Sequence, residues 1–559
     1  MPEFNVFSLF QSNMVLQRQK PIHIWGTAPK NTTVTVQLNN HTASDTVSDI
    51  NWHCILPSME AGEGYTITIT CSSTPEKPII LSSVSIGDVW LAGGQSNMEY
   101  FLRYDEDWEK VKNHPRNPKI HMYNVPQLAF EGHSKNTDGY GTWFTQGDSG
   151  FETFSAPGFS FAYNIQPHIH VPVGIIGCNW GGTSASAWLD EAYLKKDPLS
   201  IYLKEYEQAL SAYSQKELER LSYAGWKHED SLKHIEEFMP IMYGQQWEDQ
   251  LNYVRDHSND PVVPLGPWSI NRPGGLYHQM LEPLIPFSIK GVLWYQGESD
   301  AYHAEMYDDL FSTMIKCWRE KWNDNFPFLF VQLAPFGKWI HCVSDRYHEV
   351  RAKQEYVSKT IPDTGMVSIM DIGSYYDIHP KKKIEVGRRL ALLARGKVYQ
   401  EDILCESPEL TNAKRGMNSN ELLITFDHCQ QLQLTSLDTT PLNRPMPHEQ
   451  NRFKGCLNDS SKPSCNKTIA QMESSIQAIP TPVFTQIIST HDISGFVLTQ
   501  NDKQIPIDTI RIKGNSVILT SNALTTDPCT LSLAWADYAE INLVNEAGLP
   551  VKPFQIHIS

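Results

Sequence analysis

One serine, Ser96, follows an apolar run and two glycines in the segment GDVWLAGGQSNMEY, residues 87–100. The run at 89–92 suits a strand that is covered on both faces, and Gly93-Gly94 permits a sharp turn at its end. A serine at the end of such a strand is a candidate nucleophile if other residues supply a base and oxyanion donors. Because most turns of this composition are plain connections between a strand and a loop, the rest of the chain must decide.

The base for such a serine is expected to be a histidine, whose ordinary pKa lies near neutral pH. Of the 20 histidines, His379 in YYDIHP is the best candidate. It follows the last predicted sheet strand and precedes Pro380 and a predicted helix. Three carboxylates compete to orient its ring: Asp377, Asp371 and Glu298. Asp377, two residues before the histidine, is favoured, although an aspartate there also suits a turn cap.

Donors for a developing oxyanion are the third requirement, and each typically contributes about 3 kcal/mol. The candidates are the Ser96 amide, an amide of Gly181 or Gly182, and the side chain of Gln296. Gln296 lies in WYQGESD, where an amide among apolar neighbours must form hydrogen bonds. The two glycines are equally compatible with a tight turn alone. All these residues follow predicted strands, and open parallel sheets bind ligands at the carboxyl ends of their strands.

The elements that would position these residues fall into three predicted regions. Residues 1–86 alternate with period two, as in TVTVQLNN and YTITITCSS, which predicts a small β-sandwich-like domain. Residues 87–400 contain apolar strands separated by helical stretches, which predicts an α/β domain with a parallel sheet and a helical insertion at about 190–265. Residues 401–559 predict a second β domain, with a long loop or insertion around 440–475.

Charge and composition narrow the partners. The net charge of −17 disfavours nucleic acid and anionic membranes, and makes a neutral substrate easier to accommodate. The chain has no apolar run of about 18 residues and no basic, hydrophobic start, so we expect a cytoplasmic protein unless a signal peptide has been removed. Its ten cysteines show no zinc spacing, so we expect no metal. Cys456 and Cys465 would pair only in an oxidising compartment.

Four blocks together resemble the sialate O-acetylesterase family, a branch of the SGNH hydrolases that removes acetyl groups from sugars. They are GQSNMEY, WGGTSASAW, WYQGESD and DIHPKKKIEVGRRLA, in this order along the chain. The similarity continues through LYHQMLEPLIPFSIKG at 276–291 and the tail AWADYAEINLVNEAGLPVKPFQI, and so covers most of the chain. It implies a three-layer α/β/α hydrolase domain of SGNH type, flanked by β domains, that needs no metal or organic cofactor.

The resemblance also implies roles for single residues. It assigns the nucleophile to Ser96, the base to His379 and the glycine block to Gly181 and Gly182, with Gln296 where many SGNH hydrolases have an asparagine.

Two positions depart from the wider pattern. The acid commonly lies three residues before the histidine, and this chain has Tyr376 there, so Asp377 instead resembles the sugar-esterase branch. His278 stands where an asparagine is expected, which would alter how substrate is held.

These features predict a serine esterase that removes O-acetyl groups from carbohydrates through an acyl-enzyme. The acetylated sugar is sialic acid or a neutral xylan or mannan oligosaccharide, and the charge favours the neutral class. Glu298 and Trp188 are further candidates for contacting substrate, as are Trp180 and the Tyr302-His303 pair, although core packing is at least as good an explanation for either tryptophan. The alternatives are a carbohydrate-binding protein without turnover, and a lipase or thioesterase with a broad apolar groove.

Overall fold

The structure is a computed structural model, and it describes residues 3–133, 139–244, 247–340, 342–343, 346–437, 486–487 and 492–559. The predicted loop or insertion at 440–475, with Cys456 and Cys465, lies outside the described residues. No helix in the described parts of the chain combines the length and apolar content that a bilayer span requires.

The N-terminal region is built from short, mostly antiparallel strands. Burial alternates residue by residue at 33–38 and at 51–56, as the period-two pattern predicts. β1, β3 and β6 form one sheet, while β4 pairs with both β5 and β7, and β7 pairs with β8. The strands are β1 (Asn5–Val6), β2 (Val15–Gln17), β3 (Ile22–Thr27), β4 (Thr33–Leu38), β5 (His41–Thr46), β6 (Asn51–Leu56), β7 (Gly62–Cys71) and β8 (Ile79–Gly94).

The central sheet has the order β10-β9-β11-β8-β12-β13-β16. All neighbours from β9 to β16 are parallel, and β10 is an antiparallel edge strand. These parallel strands are buried along their whole length within the sheet, which is why they read as unbroken apolar runs. The strands are β9 (Ile120–Asn124), β10 (Trp143–Phe144), β11 (Val173–Asn179), β12 (Gly291–Tyr295), β13 (Phe328–Val331) and β16 (Thr364–Val367), with the hairpin β14 (Lys338–Trp339) and β15 (Cys342–Val343) before β16.

The α-helices pack in groups around this sheet. α3 packs against α10, α8 packs against α9, and α4 to α7 follow one another within the predicted insertion. The helices are α1 (Ser96–Glu99), α2 (Trp108–Val111), α3 (Ala156–Ile169), α4 (Ser200–Ser211), α5 (Gln215–Glu229), α6 (Leu232–Gly244), α7 (Trp247–Asp256), α8 (Tyr307–Trp322), α9 (Tyr347–Thr360) and α10 (Lys383–Lys397). Short 3-10 helices lie at Leu102–Tyr104, Phe151–Thr153, Ala185–Trp188, Glu191–Lys195, Glu282–Leu284 and Glu298–Met306, and a π-helix at Tyr277–Leu281.

The C-terminal region contains two four-stranded antiparallel sheets, β17-β18-β24-β23 and β22-β21-β25-β28, which share an apolar core of their own. Its strands are β17 (Leu410–Arg415), β18 (Glu421–Phe426), β19 (Gln433–Leu434), β20 (Gln486–Ile487), β21 (Phe496–Gln500), β22 (Lys503–Ile505), β23 (Thr509–Lys513), β24 (Ser516–Thr520), β25 (Cys529–Leu533), β26 (Tyr538–Ala539), β27 (Leu543–Val544) and β28 (Phe554–Ile558).

β8 is the longest strand of the described chain, with 16 residues, and it belongs to two regions. Its first half pairs with β7, and its second half pairs with β11 and β12. The N-terminal strands and the central sheet also share one continuous apolar core. The mixed α/β architecture predicted from the sequence is therefore confirmed. The domain bounds at 86 and 400 stay a prediction, and the first of them falls inside β8.

The last residue of β8, Gly94, is a position where a side chain would disturb the sheet. Its φ is +138°, and a Cβ there would lie 2.2 Å from the Tyr295 carbonyl oxygen of β12. We predict that Gly94→Ala lowers the free energy of unfolding by at least about 2 kcal/mol, because strain and overlap add.

Gly64→Ala is the matched control for this prediction. Gly64 also has a positive φ, +77°, but a Cβ there would meet nothing within 4 Å. Gly64→Ala should therefore lose only about 1 kcal/mol of unfolding free energy, the cost of a positive φ for a residue with a Cβ. Urea unfolding monitored by tryptophan fluorescence measures both changes, and equal losses for the two variants would contradict the role given to the contact with β12.

Candidate active site

Ser96 and His379 meet at the carboxyl edge of the central sheet. Ser96 is the first residue of α1, two positions after the last residue of β8, and His379 lies in the segment between β16 and α10. The Ser96 Oγ and His379 Nε2 atoms are 3.0 Å apart, although 283 residues separate them in the chain. The two residues are only 7% and 4% exposed, so their hydrogen bond is largely shielded from water. The structure thus brings together the predicted nucleophile and the predicted base.

Asp377 is the carboxylate nearest to the histidine ring. Its Oδ1 accepts a hydrogen bond from the His379 backbone N–H at 2.8 Å and lies 3.5 Å from Nδ1 of the ring. Its Oδ2 lies 2.9 Å from the Lys381 ammonium. Burial disfavours ionised Asp377, but Lys381 and His379 outweigh burial and lower its pKa to about 2. Burial also lowers the pKa of His379, against the opposing effect of Asp377, so the ring is neutral at neutral pH.

The other two candidate acids have different partners. Both carboxylate oxygens of Asp371 accept hydrogen bonds from the Arg389 guanidinium at 2.7 Å. Glu298 Oε1 accepts a hydrogen bond from the Asn97 side chain. Of the three acids, Asp377 alone has a contact to the imidazole within the described contacts.

Aromatic side chains surround the imidazole. The ring centroid of His379 lies 4.7 Å from that of Tyr243 in α6 and 5.1 Å from that of Trp339 in β14. Trp339 Nε1 donates to Gln250 Oε1 in α7 at 2.8 Å, and Lys381 Nζ donates to the Tyr243 carbonyl. Helices of the predicted insertion therefore form part of the wall around the histidine.

The glycine pair after β11 lies beside the serine. A Cβ on Gly181 would lie 3.2 Å from the Cβ of Ser96, so no larger residue fits there without movement. The Gly181 amide donates to Glu99 Oε2 at 2.6 Å, and Gln127 Nε2 donates to Glu99 Oε1 at 2.8 Å. Gly182 has a φ of +71°, and a Cβ there would meet nothing within 4 Å. Gly181 is thus engaged with Glu99, whereas Gly182 faces open space.

Gln296 follows β12 and is 0% exposed. Its Nε2 donates to Asp300 Oδ2 at 2.6 Å and to the Thr183 carbonyl at 3.2 Å, and its Oε1 accepts from the Tyr307 hydroxyl at 3.0 Å. The amide is therefore fully hydrogen-bonded inside the protein, as the sequence requires of a buried amide. Its two N–H bonds are directed at the loop after β11 and at Asp300 rather than at Ser96.

Asp300 joins the loops that follow β11 and β12. Besides Gln296, it accepts hydrogen bonds from the Ser184 hydroxyl at 2.6 Å, the Ala185 amide at 2.8 Å and the Tyr202 hydroxyl at 3.3 Å. Burial raises its pKa, while these donors favour the ionised form. A fully buried carboxylate with this many donors fixes the loop that carries the glycine pair.

The aromatic residues proposed to contact substrate have other partners. Trp188 is 0% exposed, and its indole N–H donates to the Thr183 hydroxyl, so it packs in the core instead of facing a ligand. Trp180 is also buried and lies near Trp226 of α5. His303 Nε2 lies 3.0 Å from Glu205, and its ring lies 4.4 Å from that of Tyr302.

His278 lies between two carboxylates, with Nδ1 2.7 Å from Glu282 and Nε2 2.7 Å from Glu191. Burial lowers its pKa, but the two carboxylates outweigh burial and raise it. Within the described residues, Asp190, Glu191 and His278 are the only group whose ligand atoms lie close enough for one metal ion. Lys321 Nζ lies 2.6 Å from Asp190, so the Asp190 carboxylate is already neutralised by a protein ammonium group. That no metal is needed stays a prediction.

Sequence reasoning missed several residues that contact the serine or the histidine loop: Asn97, Glu99, Tyr243, Trp339 and Lys383. Asn97 and Glu99 stand in the same GQSNMEY block as Ser96, so their position beside the nucleophile was available as a signal. Tyr243 and Trp339 come from segments whose packing on the sheet no local pattern predicts.

Known proteins resemble this chain in sequence and in fold. A family model described as a carbohydrate esterase, sialic acid-specific acetylesterase, matches residues 262–394. The sialate O-acetylesterase of Rattus norvegicus is 26% identical over 466 residues, covering 77% of this chain and 80% of that protein. The Homo sapiens sialate O-acetylesterase is 25% identical over 472 residues, covering 78% of each chain.

A solved structure extends the comparison to the whole chain. A carbohydrate acetylesterase from Xanthomonas citri covers 99% of this chain and 99% of its own, with 25% identity and a TM-score of 0.66. Together these similarities define a carboxylic ester hydrolase. The resemblance to the sialate O-acetylesterases, predicted from the sequence blocks, is confirmed.

Proposed function

We propose that this protein is a serine esterase that removes O-acetyl groups from carbohydrates through an acyl-enzyme. The observation that carries the proposal is the 3.0 Å hydrogen bond between Ser96 Oγ and His379 Nε2. A neutral imidazole at this distance can accept the serine proton, and Asp377 next to the ring stabilises the imidazolium that forms. The finer description of the fold, a three-layer SGNH domain flanked by β domains, belongs to the same proposal.

The reaction proceeds in two half-reactions. Ser96 Oγ attacks the acetyl carbonyl while His379 Nε2 takes its proton, and a tetrahedral oxyanion forms. The bond between the carbonyl carbon and the sugar oxygen then breaks, and His379 returns the proton to that oxygen. In the second half, His379 takes a proton from water, the hydroxide adds to the acetyl-serine, and acetate leaves as Ser96 regains its proton.

The oxyanion needs donors near Ser96, and we assign them to backbone amides. The Ser96 amide lies in the first turn of α1, and the Gly182 amide belongs to the turn that faces open space. Gly181 supports this turn through its bond to Glu99, and Gln296 supports it through its bond to the Thr183 carbonyl.

Charge near the serine favours a neutral sugar over an anionic one. Lys381 is paired with Asp377, and Lys383 is fully buried with protein partners, so neither ammonium is available to a substrate carboxylate. The Glu99 side chain accepts a hydrogen bond from Gly181 next to Ser96. A sialic acid carboxylate near this position would be repelled, which supports acetylated xylan or mannan oligosaccharides as the substrate class.

We predict that Ser96→Ala lowers kcat for p-nitrophenyl acetate by at least about 10⁴-fold, because the nucleophile is lost. Native enzyme should show a burst of p-nitrophenol that the variant lacks. Ser521→Ala, which changes a fully buried serine in the C-terminal region, is the control and should keep native activity. Hydrolysis by Ser96→Ala at the native rate would contradict the serine mechanism. If the native protein hydrolyses no acetyl ester, the result favours a carbohydrate-binding protein without turnover.

The pH dependence should identify the acid. The acid limb of kcat/KM reports protonation of His379 in the free enzyme, and Asp377 raises the pKa of this ring. Asp377→Asn should therefore move the acid limb to lower pH, while kcat falls by about 10³- to 10⁴-fold. Asp371→Asn, which changes the partner of Arg389, should leave the limb in place. A shift with Asp371→Asn and none with Asp377→Asn would transfer the role to Asp371.

Substrate preference follows from the charge beside the serine. We expect kcat/KM for acetylated xylooligosaccharide to exceed that for 9-O-acetyl sialic acid by about tenfold or more, equivalent to about 1.4 kcal/mol. Glu99→Gln should narrow this ratio, because it removes the repelling charge and keeps an acceptor for Gly181. Acetate release measured on both substrates tests the prediction. A native preference for sialic acid that Glu99→Gln does not alter would contradict it.

A further inference from the structure

Asn97, the residue after the proposed nucleophile, is buried and forms three hydrogen bonds. Its Nδ2 donates to the carbonyl of Ile378 at 3.0 Å and to Glu298 Oε1. Its Oδ1 accepts from Lys383 Nζ at 2.7 Å. One side chain on the serine's helix thus contacts the segment before His379, the loop after β12 and the start of α10.

Lys383 holds the other side of the histidine. Its Nζ donates to the carbonyl of Pro380 at 2.6 Å as well as to Asn97, and the side chain is 0% exposed. The carbonyl of the residue before His379 is therefore held by Asn97, and the carbonyl of the residue after it is held by Lys383. Because Asn97 is adjacent to Ser96, this arrangement links the backbone of the base directly to the segment of the nucleophile.

Glu298 is the carboxyl group on the far side of Asn97, and its Oε1 accepts the hydrogen bond from Asn97 Nδ2. Its Oε2 is buried and has no hydrogen-bond partner within the described chain. Burial raises the pKa of Glu298 to about 7, and burial lowers the pKa of Lys383 to about 7, each against the opposing influence of the other. A buried lysine without any counter-charge would lose its proton more readily.

Other charged and polar groups also face these two residues. The Lys383 ammonium interacts electrostatically with Asp377, Lys381 and Asp105 in addition to Glu298. It lies 5.0 Å from the centre of the Tyr100 ring and 5.4 Å from that of Tyr295. The Glu298 carboxyl group interacts electrostatically with Asp300 in addition to Lys383.

We propose that Asn97 and Lys383 are positioning residues that hold His379 within hydrogen-bond distance of Ser96, and that the Glu298 carboxyl group on the far side of Asn97 supports this arrangement. The inference rests on the proposed serine mechanism and adds residues that act through His379 without touching the reacting atoms. It gives Glu298 a role other than orienting the imidazole or binding substrate.

The first test removes the two contacts to the histidine loop. Asn97→Ala and Lys383→Met should each lower kcat for p-nitrophenyl acetate by about 100-fold, because a displacement of about 1 Å has such an effect, while KM stays within about threefold. Labelling of Ser96 by a fluorophosphonate should slow in parallel, since it also requires the base. Circular dichroism and thermal unfolding show that each variant is folded.

Matched controls exist elsewhere in the chain. Asn545 is buried and donates to the carbonyls of Glu406 and His428, and Lys20 donates to the Ile289 carbonyl and pairs with Asp324. Asn545→Ala and Lys20→Met therefore remove the same kinds of contact far from the serine in sequence. Both should keep native kcat, even where their thermal unfolding midpoints fall.

The second test addresses the charge. Glu298→Gln keeps an acceptor for Asn97 but removes the negative charge, which lowers the pKa of Lys383 further. A neutral amine donates more weakly than an ammonium. The alkaline limb of kcat should therefore move to lower pH in Glu298→Gln, and in Lys383→Met the limb due to Lys383 should be absent. An alkaline limb at the native pH in Glu298→Gln would overturn the role of Glu298, whether or not the other variants are stable.

The failure of this inference and the failure of the serine mechanism give different results. If Ser96→Ala is inactive while Asn97→Ala and Lys383→Met keep kcat within about threefold of native, the positioning role is wrong and the mechanism stands. If the loss appears in KM instead of kcat, the residues contact substrate and the positioning role is again wrong. If Ser96→Ala retains native activity, the proposed function itself fails.

Discussion

The hydrogen bond between Ser96 and His379 is the contact on which the site depends, because it joins two chain segments that have no local reason to meet. The central sheet brings these segments near each other, with the strand before the serine three places from the strand before the histidine, and the two side chains end 3.0 Å apart. Parallel strands bring their carboxyl ends to one edge, so a nucleophile and a base on separate loops face the same space. The loops then need only correct their final positions by short polar contacts.

Much of this arrangement could be predicted from residue order alone. Apolar runs of strand length identify the buried strands, and Ser96, Asp377 and His379 each follow such a run, so their common edge is a consequence of parallel topology. The direction in which each side chain points was harder to predict than the position of its residue at the edge of the sheet. Gln296 and Trp188 also follow strands, yet their side chains point into the protein interior. Their hydrogen-bond partners Asp300 and Thr183, which become neighbours only in the folded chain, decide these rotamers.

The buried polar contacts around His379 could not be predicted from the sequence, for a different reason. Lys383 belongs to a run of three lysines, and such a run normally marks a solvated helix start. Lys381 and Lys382 are partly exposed, whereas Lys383 is buried, with its ammonium near the rings of Tyr100 and Tyr295. Lys383 is the enclosed lysine because its partners Asn97, Tyr100 and Tyr295 come from segments far away in the chain. A local pattern can identify the helix, but it cannot choose between neighbouring residues on its first turn.

β8 has an evolutionary consequence. Because one unbroken strand pairs with the N-terminal sheet through its first half and with the central sheet through its second half, no recombination point within this strand preserves both hydrogen-bond ladders. Among the described strands, those of the C-terminal sheets pair only with one another, and the two sheets share an apolar core. Shuffling of modules is therefore expected to replace the C-terminal region between relatives more freely than the N-terminal one, which must be inherited together with the strand that presents the serine.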